Sequence, residues 1–64
     1  MDIRLTEYEA TKTIKIDPIT GNGRKFLMEN YGVLMKTIVS VDGKQKLLES
    51  LNSKKIKFEH TLVI

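Results

Sequence analysis

The chain of 64 residues contains no cysteine and no tryptophan, a single proline and a single histidine. Without cysteine there is neither a disulfide nor a thiolate metal site. One histidine would leave a zinc ion to carboxylates, so no metal and no cofactor is expected. Two tyrosines and two phenylalanines offer few rings on which nucleic-acid bases stack. No apolar run approaches the roughly 18 residues of a membrane-spanning helix. The opening residues, MDIRLTEYEA, lack the apolar centre of a signal peptide. These absences set the expectation of a cytoplasmic chain with no membrane partner.

The length implies one domain, residues 1–64. A domain this short buries only about 60% of its unfolded surface and is marginal by itself. Small domains compensate with disulfides, metals or association. The first two are excluded by composition, so a homo-oligomer or a larger protein partner is expected.

What is present begins with one stretch, Asn22 to Val41, NGRKFLMENYGVLMKTIVSV. On a helical wheel Leu27, Met28, Tyr31, Leu34, Met35, Ile38, Val39 and Val41 share an arc of roughly 160°. Lys25, Glu29, Asn30, Lys36, Thr37 and Ser40 fall opposite. The pattern predicts a long amphipathic helix lying on a core, with Asn22 as its N-cap. Gly32 is its blemish, costing about 1 kcal/mol relative to Ala. A rival reading breaks the helix at Gly32 and makes Val33–Val41 a strand, which the β-branched Thr37-Ile38-Val39 favours.

Residues 3–16 read as a strand from their β-branched content, with a bulge or break near residues 6–7. Tyr8, Ala10, Ile14 and Ile16 share one face at period 2, and Ile3 and Leu5 the other. A short helix capped by Thr6 and Glu9 is the rival. Asp17-Pro18 ends this element, and the loop Ile19–Gly23 follows. Asp42 and Gln45 resemble a cap pair for a second helix over residues 43–52, with Leu47, Leu48 and Leu51 on one stripe. Ile56, Phe58, His60, Leu62 and Ile64 then alternate with Lys57, Glu59, Thr61 and Val63 as a final strand. The fold class expected is α+β, in the order β–α–α–β, with the long central helix across a small sheet and the first and last strands paired.

Four groups of residues invite a functional reading. Gly21, Gly23, Arg24 and Lys25 open the central helix, where free N–H groups and basic side chains would suit an anion. The loop is neither a Walker A sequence nor a dinucleotide fingerprint. Lys44, Lys46, Lys54, Lys55 and Lys57 make the C-terminal third the basic part of a chain whose net charge is +3. They read as a solvated face or, with Arg24 and Lys25, as a surface for phosphates. His60 sits on the apolar side of the last strand. The sequence names neither a nucleophile nor an orienting acid for it, so a place at a sheet margin or interface is expected. Glu7 and Glu9 share a strand face without the cleft that a hydrolase needs.

Phe26 and Val33, seven residues apart inside the polar arc, form a second apolar strip. With Met28 and Met35 they are the expected interface. The sequence therefore predicts a non-catalytic protein-interaction module, an inhibitor, assembly factor or regulator that self-associates and takes no small-molecule substrate. A small basic nucleic-acid-binding protein is the alternative.

Overall fold

The computed structural model describes all residues, Met1–Ile64. Its elements run β1 (Ile3–Tyr8), β2 (Thr13–Pro18), α1 (Gly21–Tyr31), β3 (Thr37–Ser40), a 3-10 turn (Val41–Gly43), α2 (Lys44–Ser53) and β4 (Phe58–Val63). The sheet order is β3-β2-β1-β4. β2 is antiparallel to both β1 and β3, and β4 is parallel to β1. The class is α+β, as the sequence implies, and the first and last strands pair.

The first segment holds two strands, not one. Residues 9–12 form the turn of a hairpin, closed by the Lys12 N–H on the Glu9 carbonyl at 3.3 Å. Lys12 takes the left-handed backbone conformation, φ 54°. The register sets Leu5 opposite Ile16 and Ile3 opposite Pro18. The turn thus brings Ile3, Leu5, Ile14 and Ile16 to the same face, whereas one uninterrupted strand would divide them.

The central helix stops at Tyr31, ten residues before the end the wheel suggests. Gly32 is its C-cap in the left-handed region, φ 70°, with its N–H on the Met28 carbonyl at 3.0 Å. A glycine is favoured there because a Cβ crowds the carbonyl. At the other end Thr20, not Asn22, is the N-cap. Its hydroxyl accepts the Gly23 N–H at 3.3 Å and donates to the Asp2 carboxylate at 2.6 Å. The chain beyond Gly32 returns to the sheet as β3, where Ile14 pairs with Val39. The β-branched run over residues 37–39 suits that strand.

Two layers result, a sheet and a pair of helices on one of its faces. The core consists of Ile3, Leu5, Ile14 and Ile16 from the sheet, Phe26 and Leu27 from α1, and Leu47 and Leu51 from α2. Gly23, Phe26 and Leu27 are the buried positions of α1, an i, i+3, i+4 stripe. This corrects the expected interface strip. Phe26 is 2% exposed and belongs to the core. Val33 lies beyond the helix and packs partly buried against the same cluster. Met28 and Met35 are exposed, Met35 at 75%. The four do not form one surface. The second helix carries its leucines inward as the stripe predicts, but Ser40 is the residue that caps the turn before it, accepting the Asp42 N–H at 3.2 Å.

Candidate functional site

β4 is an edge strand six residues long and has no buried residue. Its apolar end stands in solvent, with Leu62 52%, Val63 41% and Ile64 96% exposed. The register places Phe58, His60 and Leu62 beside Ile3, Leu5 and Glu7 on the helix side, and Glu59 beside Arg4 on the open side. The helices cover Ile3 and Leu5, whereas on β4 only Phe58 packs partly against the core and the other five residues are exposed.

Polar contacts on both faces hold this strand to its neighbour. On the helix side the Glu7 Oε1 lies 2.9 Å from both the Lys44 Nζ and the His60 Nε2. Glu7 follows Ile3 and Leu5 at period 2, so its side chain comes up just past the core, where Lys44 opens α2. The Lys44 ammonium holds the Glu7 carboxyl below its ordinary value, partial burial opposes this, and His60 adds to the lowering. On the open side the Arg4 Nε meets the Glu59 Oε1 at 3.1 Å. At the start of β4 the Lys57 N–H donates to the Asp2 carboxylate at 3.2 Å. The Thr20 hydroxyl, then that N–H, keep the Asp2 carboxyl below its ordinary value. Asp2 thereby joins the beginnings of β1, α1 and β4.

His60 meets the sequence expectation of a sheet margin. Its orienting acid is Glu7, and its side chain makes no hydrogen bond to a hydroxyl that could serve as a nucleophile. Local spacing in the sequence does not mark Glu7 and Lys44 as partners of His60. What it does carry is the I-x-L-x-E alternation, which sets an acid at the end of a buried face. No group of three or more His, Asp or Glu side chains is placed to hold a metal ion. No helix is long and apolar enough to cross a membrane.

The basic residues divide. Lys25, Lys54 and Lys55 line a groove of about 260 Å³ with Asn22, Glu29 and Ile56. Within it the Lys54 Nζ is 3.8 Å from Glu29. Arg24 is exposed on α1, and Lys57 is outside that groove, at the foot of β4. Gly21 is exposed, while Gly23 is buried against the backbone of Asp2. The first turn of α1 has its cap in Thr20 and an acid beside it in Asp2.

Comparison with protein families, curated proteins and solved structures finds no match.

Proposed function

We propose that this chain is a small, non-catalytic protein-association module that acts as an inhibitor, assembly factor or regulator and associates with itself. The observation that carries this reading is β4, an edge strand without a buried residue whose apolar end lies in solvent. Unpaired strand edges are templates for another chain. The small core, eight residues, gives a second motive for association. Light scattering over a range of concentrations tests it. The expected mass is a multiple of 7.3 kDa that falls on dilution. A mass that stays at 7.3 kDa at every concentration overturns self-association.

A second reading, nucleic-acid binding, is favoured by one observation, the convergence of Lys25, Lys54 and Lys55 on one groove. Three phosphate contacts on a single strand would give a slope of log affinity against log salt of about −2. Titration of a labelled oligonucleotide at several salt concentrations measures it. Absence of binding at low salt removes this reading.

A further inference from the structure

We propose that two copies join β4 to β4, antiparallel, about a twofold axis at Thr61, so that two four-stranded sheets become one. This rests on the association reading above and specifies its geometry.

The sheet has two edges, β3 and β4. β3 has four residues and β4 six. Short edges, charged side chains (lysine above all), prolines and bulges are the usual guards against edge pairing, and the one acid of β4, Glu59, is already paired with Arg4 on the open face. β4 is Phe-Glu-His-Thr-Leu-Val, without lysine or proline, and its register with β1 is uninterrupted. No residue of β4 is buried and five of its six are exposed, Phe58 alone being partly covered.

The parallel ladder fixes which backbone groups are free. The Ile3 N–H donates to the Lys57 carbonyl at 3.2 Å, and the Glu9 N–H to the Val63 carbonyl at 3.0 Å. Alternation along a strand then turns Glu59 and Thr61 toward β1. The N–H and C=O groups of Phe58, His60 and Leu62 point away from the sheet.

Side chains select the register. A twofold axis perpendicular to the sheet keeps each face on its own side, so opposed residues share a face. Centring the pair on Glu59 would set two carboxylates opposite each other. Centring it on His60 would bring two imidazoles together, each already beside a Glu7 and a Lys44. Centring it on Leu62 would oppose only Thr61, Leu62 and Val63 within β4, which ends at Val63. Centred on Thr61, the pairs are Thr61 with Thr61, His60 with Leu62, Glu59 with Val63 and Phe58 with Ile64. No charge faces a charge. Each of the exposed residues Leu62, Val63 and Ile64 gains a cross-strand neighbour. Thr–Thr and aromatic–β-branched pairs are among the favourable ones, and Glu59 keeps its bond to Arg4 on the open face.

The absence of cysteine makes the test clean. In the proposed dimer the two Thr61 positions form a pair without hydrogen bonds, with Cα atoms about 4.5 Å apart, inside disulfide range. The two Glu59 positions are offset by four residues, about 13 Å, outside it. Thr61→Cys and Glu59→Cys are oxidised in parallel, with light scattering of the unaltered chain alongside. The expected result is a covalent dimer from Thr61→Cys, with Glu59→Cys on the order of ten-fold slower for lack of reach. Leu62→Lys, which sets a lysine on the edge, is expected to be monomeric with an unchanged circular-dichroism spectrum. A dimeric mass with no Thr61 cross-link, or with Leu62→Lys still dimeric, overturns the β4 pairing and leaves self-association standing. A mass of one chain at every concentration overturns both.

Discussion

The His60 Nε2 and the Glu7 Oε1 lie 2.9 Å apart across the β1–β4 pair, although 53 positions separate these residues in the chain. Lys44 reaches the same oxygen from the start of α2. One carboxylate therefore joins three elements at a point where the apolar core has ended. Its protonation weakens both contacts at once.

The sign of the resulting pH dependence follows. The Glu7 carboxyl in the fold is held below its ordinary value of 4.5. Its contribution to stability is thus present above that value and is lost as pH falls through the lowered one. Asp2, below its ordinary value of 3.8, acts in the same sense. Thermal melts between about pH 6 and about pH 3 are expected to show a falling midpoint. Glu7→Gln is expected to start lower near neutrality and to fall less. An unchanged slope in that variant would assign the acid limb to other carboxylates.

Phe26 and Met35 share an apolar character and differ in place. Phe26→Ala is expected to destabilise by about 3–5 kcal/mol, enough to unfold much of a small domain. Met35→Ala, at a residue 75% exposed, is expected to stay within about 0.5 kcal/mol. Urea denaturation of both variants checks the contrast. Equal losses would contradict the burial of Phe26.

Gly23 has no room for a side chain. A Cβ there would overlap the carbonyl of Asp2, which accepts the N–H groups of Ile19 and Thr20. Gly23→Ala is expected to destabilise by at least about 1–3 kcal/mol, because backbone must shift. The measurement is again the denaturation midpoint.

Lys12 makes the opposite case. It is a non-glycine residue with φ 54° in an exposed turn. A left-handed conformation disfavours a residue with a Cβ by about 1–2 kcal/mol, partly offset by the chain entropy of glycine. Lys12→Gly is expected to stabilise by about 0.5–1 kcal/mol, given those two terms. A loss of stability would place the favourable contacts of Lys12 above its backbone conformation.

That residue also explains what the sequence concealed. Hairpin turns usually announce themselves with Gly or Asn at the left-handed position, and Glu9-Ala10-Thr11-Lys12 contains neither. Without that signal the spacing reads as one strand, which sets Ile3 and Leu5 on the face opposite Ile14 and Ile16. The α1 boundary was written in Gly32, whose cost inside a helix becomes an advantage at its end. Leu34, Met35 and Ile38 extended the helical arc by coincidence of spacing. All three are exposed in the fold, where the helical arc predicts burial. Leu47 and Leu51, and the alternation of β4, were legible because each pattern lies within one element. Glu7, His60 and Lys44 come from three elements. Their meeting depends on strand order, which local spacing does not encode.

The parallel pairing of Ile3–Tyr8 with Phe58–Val63 has a consequence for the order of events in synthesis. Of the elements of this domain β1 is made first, and β2 can pair with it across a short turn almost at once. The other side of β1 has no partner until residues 58–63 have left the ribosome. Contacts so distant in sequence form slowly, because loop closure must precede them. Throughout that interval the nascent chain carries a half-finished sheet, with Ile3 and Leu5 awaiting the leucines of α2. That interval is when the chain is most open to aggregation and to a chaperone's attention.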